Sequence, residues 1–356
     1  MNQAVHIGLS LGRFDHWNDG LGTFGRQLGL ALSAHAAQLR EERGWCLHFH
    51  MPLQFHGSFG DAVGYLSTHT WQRWLHLQPK HFALWHSFHQ HNRLRAPLGT
   101  ERQLETVHDL NFLHLKQGAK IDRYRRAQRR RLQRCDAVVA ITQHVARDIE
   151  REMALPGLPV EVMHGATDLS DSPREAVTGL PSAPWLLHIS RMAPSKNIEA
   201  LLTLAAAWPE QPIVLAGATS RYSAEVQAQV ARRGLTNVHI RRDLSEAQKA
   251  WLYANCCGFL FPSLTEGFGA PPIEAMYFGK SAFLSRLTSL PEVGGAVAHY
   301  FDNFDGAAMR KVVQSGMAED ARPDRAFAIT AHARQFSWSR CAEAYLDLYA
   351  RLLVGK

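Results

Sequence analysis

Two carboxylates, Glu266 and Glu274, stand eight residues apart in FPSLTEGFGAPPIEAMYFG, residues 261–279, on either side of a glycine turn that leads into a helix. Phe259, Leu260 and Phe261 close a short apolar run, Pro262 and Ser263 break it, and Gly267 and Gly269 allow positive φ or close approach of the main chain to a ligand. Pro271 or Pro272 suits the first helical position, so Glu266 is expected on the loop and Glu274 in the first helical turn, with Gly279 ending the helix. Unpaired N–H groups at such a helix start attract anions, for example a diphosphate. A carboxylate beside them would repel phosphate. The role left to the pair is accepting hydrogen bonds from sugar hydroxyls, or stabilising oxocarbenium-like charge at a reacting sugar carbon.

Cations that could offset a departing diphosphate are found upstream. In LHISRMAPSKNIEALLTL, residues 187–204, Arg191 and Lys196 flank a strand-to-helix turn where both can reach phosphate oxygens, Arg as a fork and Lys as a point charge. The chain has no Asp-x-Asp pair to hold a divalent metal, so no metal site and no cofactor are expected.

The frame P-S-x-x-E-G-F-G-x-P-x-x-E-A-M-x-x-G resembles the retaining GT-B glycosyltransferases of family 4, mannosyltransferases among them. NDGLGTFGRQL (residues 18–28) is similar to that family's amino-terminal glycine loop, and TVHDLNFLH (residues 106–114) to its central His-Asp segment. Shorter likenesses are AITQHVARDI, VLAG and SLPEVGG, and together they span roughly residues 5 to 300. EVMHGATD, residues 161–168, departs from the pattern where relatives more often carry Asn-Gly.

The resemblance implies an α/β GT-B fold of two Rossmann-like β/α/β domains facing each other across a cleft. It assigns Arg191 and Lys196 to the donor diphosphate and Glu274 to the donor ribose. Glu266, with the main-chain N–H groups of Gly267, Phe268 and Gly269, goes to the transferred sugar, and His108 to the sugar from the other side. Gly20 and Gly22 would face the donor phosphates. Catalysis would then rest on Glu266, His108, Arg191 and Lys196. The implied reaction is retaining transfer of a hexose, mannose from GDP-mannose first and a UDP-sugar next, to a saccharide or lipid-linked saccharide of a surface polysaccharide or lipopolysaccharide.

The elements that position these residues alternate. Apolar runs at residues 5–11, 46–51, 83–85, 105–107 and 137–141 are separated by helix-length segments such as residues 22–42, a βα pattern that predicts a parallel sheet. The pattern restarts at 185–189, 212–216, 238–240 and 258–261. The expected organisation is an acceptor-binding domain at 1–166, a polar linker at 167–184, a donor-binding domain at 185–337, and a helix at 338–356 that in relatives returns to the first domain. The two domains would close about the linker. A chain of 356 residues, 46% hydrophobic, can bury two cores. Five cysteines, an odd number without C-x-x-C spacing, suit a reducing compartment. With no basic leader and no apolar run of about eighteen residues, the expected location is cytoplasmic.

The net charge of +7 is uneven. Residues 116–134 hold nine basic residues, Lys116, Lys120, Arg123, Arg125, Arg126, Arg129, Arg130, Arg131 and Arg134, against Asp122 alone. A helix is expected there with Ile121, Tyr124, Leu132 and Cys135 as its buried stripe and a cationic outer face. That face is either merely solvated or a peripheral contact with an anionic inner-membrane surface. No nucleic-acid module is present.

Three other readings are weighed. Residues 20–25 spell G-x-G-x-x-G, the fingerprint of an NAD(P) oxidoreductase, but about eight polar residues separate the glycines from the strand, and the next strand ends at Met51 without an acidic residue. His86, His89 and His91 lack a Cys or carboxylate at zinc-ligand spacing. A catalytically silent sugar-nucleotide-binding subunit is the third. Asp109 is expected to buttress the turn after His108.

Overall fold

The computed structural model describes residues 4–17, 20–167, 169 and 172–354; Asn18 and Asp19 of the glycine segment, and Asp168, Ser170 and Asp171, lie outside the described residues. The chain divides into two compact units, residues 1–166 with 338–356, and residues 167–337.

In the first unit the strands are β1 (Val5–Ser10), β2 (Trp45–Met51), β3 (Gly64–Ser67), β4 (Leu84–Ser87), β5 (Arg102–Val107), β6 (Ala137–Ala140) and β7 (Val160–Val162). They form a parallel sheet in the order β3-β2-β1-β4-β5-β6-β7. The helices between them are α1 (Gly20–Ala34), α2 (Ala36–Arg43), α3 (Phe112–Leu115), α4 (Ala119–Leu132) and α5 (Gln143–Met153). In the second unit β8 (Leu186–Ile189), β9 (Ile213–Gly217), β10 (Val238–Arg242), β11 (Gly258–Phe261), β12 (Ala282–Ser285) and β13 (His299–Phe301) are parallel in the order β10-β9-β8-β11-β12-β13. Helices α6 (Ile198–Ala207), α7 (Arg221–Arg232), α8 (Glu246–Asn255), α9 (Ala270–Tyr277), α10 (Leu290–Gly294), α11 (Gly306–Asp320) and α12 (Arg325–Ala333) accompany them.

The strand sequences explain the architecture. LLHI, GFLF and AFLS are buried at every position, as strands covered by helices on both faces must be. The polar exceptions are His188, whose ring hydrogen bonds are internal, and Ser285, whose hydroxyl donates to Ser263 O at 2.5 Å. The final helix, α13 (Trp338–Val354), belongs to the first unit. There the Tyr345 hydroxyl lies 2.8 Å from Thr106 Oγ1 and the Tyr349 hydroxyl 2.7 Å from His86 Nδ1. Among the described residues no helix is long and apolar enough to cross a membrane.

Three expectations change. Within the segment 167–184, expected as a polar linker, Leu169, Val177 and Leu180 pack against the core of the second unit, and the Glu175 N–H donates to Ala247 O at 3.2 Å. Residues 22–42, expected as one helix, are broken at His35 into α1 and α2. On the basic helix α4, Tyr124 is 40% exposed, and Gln128 takes the inward position instead. The cause is Glu105, 4% exposed on β5, which accepts from Gln128 Nε2 at 3.0 Å and from Arg131 Nη2 at 2.8 Å. A buried carboxylate must be paired, so polar side chains fill a face that an apolar stripe would otherwise occupy.

Candidate functional site

In the second unit the chain runs β8-β9-β10 to one side and then crosses to β11 on the other, so β8 and β11 are the neighbours at which the strand order reverses. Ligands of open parallel sheets bind outside the carboxyl ends of such a pair. Arg191 and Lys196 follow β8, and residues 263–269 follow β11. The two loops are joined: the Leu264 N–H donates to Ser195 O at 2.8 Å, and the Lys196 ammonium pairs with Glu266 Oε1. These two side chains are only 15% and 12% exposed, and the ammonium lies 5.5 Å from the Phe261 ring centroid. Arg191 is exposed, with no hydrogen bond or ion pair among the described residues.

Several devices hold this geometry. His188 is fully buried, donates from Nδ1 to Leu260 O at 2.8 Å, and accepts at Nε2 from the Ser190 hydroxyl at 2.8 Å. Ser190 Oγ in turn accepts from the Met192 N–H at 3.1 Å. Burial first, and the Lys196 charge last, push the His188 pKa down to about 4, so the imidazole is neutral and its tautomer fixed. Gly217 at the end of β9 is required by close approach, because a Cβ there would stand 2.3 Å from Ser190 O. Three of the five described non-glycine residues with positive φ, Met192, Asn197 and Thr288, lie in these loops or the one that braces them. Such residues cost roughly 1–3 kcal/mol each and persist where the surroundings over-determine the backbone.

The bracing loop is residues 287–290. Thr288 Oγ1 accepts from the Glu266 N–H at 3.0 Å, and Ser289 Oγ lies 3.1 Å from Glu266 O and 2.9 Å from Phe268 O. Gly269 caps α9 with φ of 100°, and a Cβ there would meet Leu290 Cδ2 at 2.8 Å. The Phe268 ring packs edge-on to Phe336, 5.7 Å between centroids, so only its main chain can serve the loop. Gly267 lies between them and has its own polar partner.

Glu274 differs from expectation in two respects. Because α9 begins at Ala270, it falls in the second turn. Both its oxygens are already engaged, Oε1 by the Thr167 hydroxyl and Oε2 by the Tyr253 hydroxyl, each at 2.7 Å. Burial raises its pKa above the usual carboxylate value, although those two bonds pull the other way. A ribose hydroxyl could use only the lone pairs that remain.

His108, Gly20 and Gly22 belong to the first unit. His108 is buried after β5, donates from Nε2 to Phe88 O at 2.9 Å and lies edge-on to Phe24, 4.4 Å between centroids. Gln90 braces the same turn, accepting from the His108 N–H at 3.0 Å and donating to Asp109 O at 3.1 Å. Burial pushes the His108 pKa down to about 3, leaving a neutral ring whose Nδ1 can accept. Asp109 Oδ1 accepts from the Asn111 N–H at 2.9 Å and so supports the turn. Gly20 and Gly22 lie in the first turn of α1, not in a loop. Farther along α1 a glycine is needed for packing, since a Cβ on Gly29 would come within 2.5 Å of the Phe59 ring. Among the described residues no three His, Cys, Asp or Glu side chains converge as metal ligands, and His86 bonds Thr106 and Tyr349 instead.

Residues that sequence reasoning passed over are His188, Gln90, Thr288 and Ser289. The signal for His188 was a histidine inside an apolar strand run; for Thr288 and Ser289 it was the polar pair at the entry to SLPEVGG, residues 289–295.

Residues 176–301 match the family model described as Glycosyl transferases group 1. The chain is 31% identical over 240 residues to the serotype-specific mannosyltransferase WbdA of Escherichia coli, covering 62% of this chain but only 29% of that one. It is 28% identical over 275 residues to O-antigen chain mannosyltransferase B of Escherichia coli, covering 72% of each. Among solved structures, a sucrose-phosphate synthase from Thermosynechococcus elongatus has a TM-score of 0.73 at 17% identity, covering 99% of this chain and 100% of that one. Anabaena HepE in complex with UDP and glucose has a TM-score of 0.66 at 14% identity, covering 98% and 100%. Likeness at those identities concerns fold. Two parallel α/β units of this topology, with the group 1 match over the second, give the chain the fold of the GT-B glycosyltransferases.

Proposed function

We propose that the chain is a retaining glycosyltransferase of family 4 that moves a hexose, mannose from GDP-mannose first, to a saccharide or lipid-linked saccharide in polysaccharide or lipopolysaccharide synthesis. The observation that carries the reading is the Lys196–Glu266 pair beside unpaired Arg191 at the β8/β11 switch point. The mannosyltransferase relatives support the choice of sugar; a UDP-sugar is the alternative. Arg191 and Lys196 hold the donor diphosphate and offset the charge that grows on it as the glycosidic bond breaks. Lys196 has three N–H donors, so it can keep Glu266 in place while donating to phosphate. Glu266 and the N–H groups of Gly267, Phe268 and Gly269 bind the transferred sugar, and Glu274 the ribose. His108, neutral, offers Nδ1 to a sugar hydroxyl. On this reading the N–H groups of Gly20 and Gly22 serve the donor phosphates, and the first unit holds the acceptor.

Acceptor-dependent release of nucleoside diphosphate from a panel of GDP-, UDP-, ADP- and dTDP-sugars tests the reading, and the anomeric proton coupling of the product tests retention. Absence of release with every donor would refute it. Glu266→Ala is expected to lower kcat by about 2–4 kcal/mol of transition-state stabilisation, while Glu274→Ala mainly raises donor KM. Glu274→Ala should also lower the melting temperature, because it strands the buried Tyr253 hydroxyl at roughly 1–3 kcal/mol. Wild-type kinetics in the Glu266 variant would remove it from the mechanism.

With charge supplied by side chains, no metal or other cofactor is required, and turnover in excess EDTA should equal that in magnesium. Loss with EDTA and recovery with magnesium would contradict this.

Membrane contact through α4 is part of the proposal, on the cytoplasmic face where nucleotide sugars are held. Arg125 and Arg131 turn inward to Glu152 and Glu105, but Lys116, Lys120, Arg123, Arg126, Arg129, Arg130 and Arg134 remain exposed. At about 1 kcal/mol per basic residue near an anionic surface, co-sedimentation with phosphatidylglycerol vesicles is expected at low salt and lost at high salt. A chain left in the supernatant at low salt would end this part.

A further inference from the structure

The first unit has its own point of strand-order reversal, between β1 and β4. Loops following β1, β3 and β4 meet at its carboxyl edge, where the His89 ring donates from Nε2 to Leu11 O at 3.0 Å. They enclose a cavity of about 220 Å³ lined by Arg13, Thr70, Arg73, His91 and Arg93 among others, with no carboxylate in its wall. Elsewhere in this unit Arg102, Arg125, Arg131 and Arg151 pair with acids. These three do not: Arg13 donates to Thr70 Oγ1, the Arg73 guanidinium stacks 3.7 Å from the Trp74 ring centroid, and Arg93 makes no hydrogen bond among the described residues. Stacking leaves the in-plane N–H groups of Arg73 able to donate.

Three guanidinium groups around one small cavity repel one another unless an anion lies between them. The space is below the roughly 300–1,000 Å³ that holds a whole drug-sized ligand, but it suits one group of a ligand. A second observation concerns its flank. The turn that carries Arg73 also exposes Trp71, Trp74, Leu75 and Leu77, at 48%, 60%, 46% and 57%. Four large apolar side chains within seven residues, left in water beside a cationic cavity, match an amphiphile better than a fully soluble anion.

We propose that this cavity is a phosphoryl-binding site, in which Arg13, Arg73 and Arg93 hold the oxygens of a phosphate ester or diphosphate. Binding here does not depend on the donor-site reading; that the phosphate belongs to the acceptor or its carrier does rest on it. Titration of inorganic pyrophosphate at low salt onto the full chain carrying Arg191→Ala/Lys196→Ala, which removes the donor-side cations, should show one site, weakened about tenfold or more when Arg73→Gln/Arg93→Gln is added, whose exposed side chains leave the melting temperature unchanged. Lys120→Gln/Arg123→Gln/Arg126→Gln on α4 should bind pyrophosphate like the wild type. Vesicles of phosphatidylcholine with phosphatidic acid, added to chains that also carry the three α4 changes so that α4 does not hold them, distinguish the source. Sedimentation that falls in both Arg73→Gln/Arg93→Gln and Trp71→Ser/Trp74→Ser supports a membrane-held phosphate. Pyrophosphate binding with vesicle sedimentation unaffected by either variant supports a soluble phosphate ester. No pyrophosphate binding, or binding indifferent to the Arg73 and Arg93 changes, overturns the site, whether or not sugar transfer is observed.

Discussion

Replacing Arg191 and Lys196 together by alanine is expected to lower donor kcat/KM by about 10⁴-fold, or about 5.5 kcal/mol at 1.36 kcal/mol per decade. The fold should survive, since Arg191 is exposed and makes no contact that packing depends on. The two residues should not contribute equally. Lys196→Ala removes a cation and also leaves the Glu266 carboxylate, 12% exposed, without its partner and facing the incoming diphosphate. Donor affinity should therefore fall further in Lys196→Ala than in Arg191→Ala. Adding Glu266→Gln to Lys196→Ala should restore part of it, a coupling of roughly 1–3 kcal/mol read from dissociation constants. Additive effects across that cycle would mean that the ion pair is structural scaffolding, separate from donor binding.

The second large effect is acid destabilisation. Burial pushes the pKa of His48 down to about 4 and those of His50, His86 and His108 to about 3, while His188 in the second unit lies at about 4; the Lys80 charge adds to the shift at His48 and that of Lys196 at His188. The unfolded value is 6.5, so below it the unfolded chain binds protons that the native chain excludes. The contribution of these neutral imidazoles is complete above about pH 6.5 and is lost as pH falls through about 4 to about 3. Each proton counts about 1.4 kcal/mol per pH unit, so these four in the first unit sum to roughly 5–6 kcal/mol per unit near pH 5, against about 1.4 for His188 in the second. A domain stable by roughly 5–15 kcal/mol cannot absorb that slope for long. Denaturant unfolding followed from pH 7.5 to 5 should show the first unit losing stability steeply and the second slowly, separating into two transitions. One transition with little pH dependence would contradict the burial of these rings as neutral groups.

The donor side was legible because its signals are local. The apolar runs of β8 and β11 each end at a turn residue within a few positions of a charged side chain, and parallel strands buried on both faces leave little doubt about where the strands stop. Strands of three or four residues such as β3 and β13 carry no periodicity and pass unnoticed. The glycines of residues 20–25 read as a loop because each weakens an isolated helix by about 1 kcal/mol, yet packing such as Leu11 against Gly25 reverses the outcome. The inward face of α4 was misread for the opposite reason. Its apolar pattern favours Tyr124, but the buried Glu105, distant in sequence, demands donors, and Gln128 and Arg131 supply them. The occupied state of Glu274 was equally hidden, since Thr167 lies more than a hundred residues away from it.

The most direct test is a calorimetric titration of GDP-mannose, and in parallel of UDP-, ADP- and dTDP-sugars, onto the wild-type chain and the Arg191→Ala/Lys196→Ala variant. One nucleotide sugar should bind the wild type at a single site with the variant at least about a hundredfold weaker. Equal affinity in both chains, or no binding of any of the four, would contradict a donor site built on those two cations.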